Sequence, residues 1–288
     1  MSCDAFSDCH PAVEFVFFTF VIGITSIVTH PLISLISLIT GMLYSKSISP
    51  NSFSLAALIP IMAFTALINP LFSHEGATIL AYFPSGNPLT LESIICGLSS
   101  ALTLSAVVCW FSAFSRVMTS DKFVWLFGRI LPMLGLLLSM TLRFVPRFIA
   151  DIKAASEADS LLKNKDDSRL GKLRSAVNVF SGCINRALDS SMSTAESMKS
   201  RGFGLPGRTS YTNYRLDRRD KILLIWLGLS GMFVLSGYFC GGIYWRSYPT
   251  VKFSEFGSFT AAFMLVFALL ALTPTLTGIS EKYPRSEL

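Results

Sequence analysis

The chain has 288 residues, a mean hydropathy of +0.55 and 15% charged residues, where a soluble domain carries about a quarter. Composition alone therefore reads as a membrane protein and excludes an ordinary soluble domain. The net charge of +6 does not point to nucleic acid: 15 of the 24 Lys and Arg lie between Arg147 and Lys221, interleaved with Asp and Glu, as in a cytoplasmic segment rather than a basic groove.

In chain order, residues 1–11 carry two aspartates and no Lys or Arg. They lack the positive start of a secretory signal, so the apolar run 12–29 is expected to be a retained span. His30-Pro31 breaks it. Residues 32–44 form a second, rather short apolar run, and 45–52 a polar turn with Lys46 and Pro50. Residues 53–72 form a third span. The loop 73–90 has no Lys or Arg, is rich in Gly and Pro, and reads as external.

Residues 91–114 are the fourth span. The segment 123–144 is apolar but interrupted by Arg129 and Pro132. Spanning it would put the basic stretch 116–129 outside, so an interfacial arrangement is expected: a short helix over 121–130 and a new one from Pro132 to about Leu162. A longer helix is expected over 170–201, on the order of 45–50 Å at 1.5 Å per residue. Its apolar stripe runs through Ala176, Phe180, Cys183, Ile184, Ala187, Leu188, Met192, Ala195 and Met198. Gly202 is its left-handed stop, and Arg201 suits the last turn. A basic, aromatic connector over 205–220 then leads to a fifth span (221–244), a short outer loop (246–257) and a sixth span (258–275).

Chemical signatures are sparse. The six cysteines show no CxxC pairing, and Cys3, Cys9 and His10 lack a nearby second ligand pair, so a metal site is not expected there. No Walker A loop, HExxH or GxSxG occurs. Glu14 and Glu92 begin spans and read as solvated carboxylates rather than relay groups, and His30 and His74 as interfacial residues. A transporter without a charged path of its own either moves an apolar substrate or is one part of a machine. The long helices favour the machine.

Ala195-Glu-Ser-Met-Lys-Ser-Arg-Gly-Phe-Gly204 resembles the second Ala-Arg-Gly signature of the transmembrane T component of energy-coupling factor (ECF) transporters, the EcfT/CbiQ family. Leu142-Arg-Phe-Val-Pro-Arg-Phe148, Asn69-Pro-Leu-Phe-Ser-His74 and the segment 121–132 resemble the same family in the same order. The likeness runs from about the first span to about Lys221, and more loosely beyond. It implies an all-α membrane protein with about six transmembrane helices and long amphipathic cytoplasmic coupling helices, divided as 1–115, 116–220 and 221–288. It also implies a non-catalytic scaffold in the cell membrane, with no cofactor of its own. Two ABC-type ATPases would bind the ATP, and a separate integral membrane S component would bind a micronutrient such as a vitamin or metal ion.

Each coupling helix of the family ends in an Arg-containing tripeptide that docks on an ATPase. Here the second is Ser200-Arg201-Gly202, while the first position reads Ala158-Asp159-Ser160, with the charge reversed. Either Lys153, Lys163 or Lys165 supplies the basic group there, or the two ATPases are held unequally. The S component would pack on Phe180, Ile184, Leu188 and Met192, and small residues at Ser190, Ser191, Ser193 and Ala195 would let the long helices cross closely. The rival expectations are a self-contained permease or channel with a cytoplasmic regulatory helical domain, and a membrane-bound enzyme.

Overall fold

The computed structural model describes residues 6–7, 9–48, 55–73, 76–82, 88–130, 132–162, 169–203, 214, 216–243, 245–246, 252–253 and 257–282. Among these, nine helices dominate: α1 (Pro11–Ile27), α2 (Pro31–Ile48), α3 (Leu55–Phe72), α4 (Leu91–Val117), α5 (Ser120–Ile130), α6 (Pro132–Leu162), α7 (Arg169–Ser200), α8 (Arg218–Phe239) and α9 (Ser258–Lys282). The fold is all-α and of membrane type. Helices α2, α4, α8 and α9 are long and apolar enough to cross a bilayer, while α1 and the Leu58–Phe72 part of α3 are apolar but shorter. The chain clusters into two compact units, Met1–Thr119 with Tyr214–Leu288, and Ser120–Asn213.

α2 and α9 outrun the expected spans by most. α2 continues through Ser45 and Lys46 to Ile48, which gives the second apolar run its full 18 residues, and α9 passes Pro274 to reach Lys282. Two short antiparallel ladders also form in the segments read as outer loops: Ile79–Tyr82 with Pro88–Thr90, and Trp245–Arg246 with Lys252–Phe253. The segment 123–144 is not one continuous helix, because α5 ends at Ile130 and α6 starts at Pro132. Proline at a first helical position is pre-set for the turn and lacks only a donor that is orphaned there anyway.

His10-Pro11 and His30-Pro31 open α1 and α2 in the same way. The His10 Nδ1 accepts from the Ala12 N–H at 3.2 Å, and the His30 Nδ1 accepts from the Leu32 N–H at 3.3 Å. Each imidazole thus satisfies one orphan donor of a helix start. His30 is buried with its ring edge-to-face on Trp245, 5.6 Å between centroids, so it is an interior cap rather than an interfacial residue. His74 lies outside the described residues.

The first unit is organised around Trp110 of α4. Its ring sits 5.6 Å from Phe17, 6.2 Å from Phe18 and 6.1 Å from Tyr44, all fully buried. Its indole N–H donates to the Ser37 carbonyl (3.1 Å) and hydroxyl (3.0 Å), and the Ser37 and Thr25 hydroxyls are 2.8 Å apart. A single buried chain of hydrogen bonds therefore ties α1, α2 and α4. Between apolar helices in lipid, such polar contacts and close packing supply specificity where no hydrophobic difference exists. A second apolar cluster, including Ile24, Ile33, Val234 and Phe267, joins α1 and α2 to α8 and α9.

Both acidic helix starts depart from expectation. Glu14 is fully buried, and Phe6 and Cys9 from before α1 join Val13 and Phe17 in one core cluster. Glu92 is also buried: its carboxylate accepts from the Thr78 hydroxyl at 2.7 Å and the Thr78 N–H at 3.3 Å. That carboxylate fastens the first β-ladder to the start of α4 instead of facing water.

Candidate partner-docking surface

The second unit is built from α5, α6 and α7. α7 runs 32 residues, about 48 Å at 1.5 Å per residue. Its less exposed positions are Gly171, Ser175, Val179, Cys183, Ser190, Thr194 and Met198, spaced at four- and seven-residue steps, and it packs against α6. On α6 the corresponding positions include Phe144, Phe148, Ile152, Ala155 and Asp159. The closely packed line is therefore narrower than the stripe read from the sequence. Only Cys183 of that stripe is buried. Ser190 lies on the packed line, whereas Ser191, Ser193 and Ala195 are exposed.

Four other apolar residues of the stripe stay open. Phe180 is 52% exposed, Ile184 38%, Leu188 55% and Met192 69%, so the described residues of its own unit leave this row of α7 open. A helix with one face packed and an adjacent apolar row open is suited to receive a second surface.

The C-terminus of α7 carries the other candidate group. Gly202 adopts φ +81°. Its N–H donates to the Lys199 carbonyl at 3.0 Å, and the Phe203 N–H donates back to Met198, also at 3.0 Å. These two bonds form a Schellman motif, in which a left-handed residue closes the last turn and satisfies orphan carbonyls. Glycine takes that conformation without a Cβ clash. Arg201 consequently sits at the helix C-cap, exposed, on a closed turn. Ser200 is exposed and donates its hydroxyl to the Ser197 carbonyl at 2.9 Å.

The other tripeptide position is arranged differently. Asp159 is half-buried and accepts a hydrogen bond from Ser175 of α7, so its carboxylate is directed between the two helices. Ala158 and Ser160 are exposed, the Ser160 hydroxyl donating to the Glu157 carbonyl at 2.6 Å. Lys153 is exposed on α6, and Lys163 and Lys165 lie outside the described residues. Ser175 was not singled out from the sequence. The available signal was its place, 16 residues beyond Asp159, on the side of α7 that repeats small residues toward α6.

Between α6 and α7 lies a cleft of about 370 Å³, with Phe144 and Phe148 on one side and Ala187 and Ser190 on the other. No group of three His, Cys, Asp or Glu among the described residues is placed to hold a metal ion. No curated protein matches the chain. A family model, described as CbiQ, cobalt transport protein, matches residues 9–211. That range contains α1 to α7, including Arg201 and its cap, and covers most of the chain. The protein therefore belongs to the CbiQ family, the transmembrane components of cobalt and ECF-type transporters.

Proposed function

We propose that this chain is the non-catalytic scaffold of an ECF-type importer, a multi-pass protein of the cell membrane with α6 and α7 on the cytoplasmic side. Two ABC-type ATPases dock on the helix ends and hydrolyse ATP, and the motion passes along α7 to a separate membrane subunit that binds the substrate. The observation that carries this reading is the Schellman-capped end of α7, which presents Arg201 beside an uncovered apolar row. A guanidinium at a fixed helix end makes several directed bonds to carboxylates and carbonyls of a groove. The row of Phe180, Ile184, Leu188 and Met192 receives the substrate-binding subunit. At the end of α6, Asp159 serves the α6–α7 contact, which favours unequal docking of the two ATPases. The family description makes a cobalt ion the first substrate to test.

The test is a pull-down of the tagged chain from native membranes, wild type beside Arg201→Ala and Arg201→Glu, with bound proteins identified and ATPase activity assayed. Loss of charge-assisted bonds worth about 1.5–3 kcal/mol weakens docking on the order of 10- to 100-fold. Two ABC-type ATPases on the wild type that fall away from both variants support the scaffold. No ATPase on any of them refutes it, and uptake by the chain reconstituted alone establishes the permease reading instead.

A further inference from the structure

The cleft between α6 and α7 has a composition that neither an ATPase groove nor close helix packing requires. Its floor is apolar: Phe144 and Phe148 are half-buried, and Val145 and Ile149 are each about half exposed beside them. Two guanidinium groups border it, Arg147 from α6 and Arg186 from α7, with the single carboxylate of Asp151. Both arginines are exposed, and neither forms an ion pair or hydrogen bond with another described residue. Two of its three hydroxyls are used within their own helices: Thr141 donates to the Leu138 carbonyl at 2.9 Å and Ser191 to the Leu188 carbonyl at 2.7 Å. An apolar floor with uncommitted cations at its edge and a net positive charge fits a ligand with an apolar body and an anionic head. The volume falls in the range of about 300–1,000 Å³ usual for small-molecule sites.

We propose that this cleft binds an anionic phospholipid, with the phosphate held by Arg147 and Arg186 and an acyl chain laid over Phe144 and Phe148. The chain has four helices long and apolar enough to cross a bilayer, and a phospholipid combines an apolar body and an anionic head in one molecule. Arginine forks suit phosphate geometry and bind it bidentately. The site is separate from the docking end of α7, because Arg186 and Arg201 are 15 residues apart, about 22 Å along the helix. The bound lipid wedges the two helices at a set separation while leaving Arg201 untouched.

The experiment uses the full chain in detergent micelles, incubated with equal amounts of phosphatidylglycerol and phosphatidylcholine of the same acyl chains. Retained lipid is read by native mass spectrometry. Phosphatidylglycerol is expected to be retained preferentially. Retention should fall about fivefold for each arginine neutralised, on the order of twentyfold for Arg147→Gln with Arg186→Gln. The paired Lys substitutions should keep most of it. Ala187→Trp, which fills the cleft and leaves both charges, should also displace the lipid, and Arg143→Gln with Arg174→Gln, outside the cleft, should not. Millimolar inorganic phosphate should leave the lipid in place.

Equal retention of the two lipids, or retention unchanged in the Arg147→Gln, Arg186→Gln variant, overturns the proposal. Displacement by inorganic phosphate overturns it as well, since the apolar floor then contributes nothing. If a complex from native membranes carries no lipid and a partner's helix crosslinks to Ser190→Cys, the cleft is a protein interface and the proposal fails. Retention tracking the two arginines, while the scaffold loses its ATPases only with Arg201 variants, separates this site from the coupling function.

Discussion

Replacing Gly97 of α4 by alanine tests how tightly α3 and α4 are held. A Cβ at that position would lie 2.7 Å from the Ala66 carbonyl oxygen, 3.2 Å from the Asn69 Cβ and 3.3 Å from the Pro70 Cδ. The closest atom is backbone, so no rotamer change relieves the clash and the Ala66–Pro70 turn of α3 must move. Inserting one carbon into such a contact costs about 1–3 kcal/mol. The displacement also strains the 3.4 Å contact from the Asn69 amide to the Cys96 sulfur. Gly228 of α8 is the control, because an added Cβ there meets nothing within 4 Å. Alanine at that position should be neutral or stabilising by up to about 1 kcal/mol, as expected inside a helix. Thermal unfolding in detergent should therefore show Gly97→Ala melting several degrees lower, at roughly 2–4 °C per kcal/mol for a chain of this size, with Gly228→Ala at or above wild type. Equal melting of Gly97→Ala and wild type would refute the tight α3–α4 crossing.

Trp110→Phe and Ser37→Ala should each destabilise by about 1–3 kcal/mol, yet fall short of additivity when combined, since they break the same buried bond. A double-mutant cycle closing to zero coupling would contradict the hydrogen-bond chain. Burial lowers the pKa of His30 below its ordinary value, so between the folded pKa and about 6.5 the unfolded chain binds more protons than the folded one. Its stabilising effect is thus complete above that window and declines as pH falls through it. A melting profile from pH 8 to 5 should show this decline in wild type and a shallower one in His30→Asn, which keeps an acceptor for Leu32; parallel profiles would count against it. Gly202→Ala should cost about 1–2 kcal/mol by placing a Cβ in the left-handed region, read as faster amide exchange over the last turn of α7. Unchanged exchange there would argue against the cap.

The order and kind of elements were legible in the sequence because lipid permits little else. Long apolar runs become helices when no water is present to satisfy the backbone, and Pro132 and Gly202 mark boundaries through covalent geometry. Helices α6 and α7 were readable to within a residue or so for that reason. Burial was not. Glu14 looks like an exposed helix start until the folded chain buries it, and Glu92 does so until Thr78 arrives from 14 positions earlier. Apolar periodicity marked one broad stripe on α7, but only the crossing with α6 decides that Cys183 goes inside while Phe180, Ile184, Leu188 and Met192 stay open. The same crossing turns Asp159 toward Ser175 and gathers Arg147 and Arg186 around one cleft. Local propensity is written along the chain. Which groups share a surface depends on contacts between residues far apart in it, and tertiary packing alone determines those.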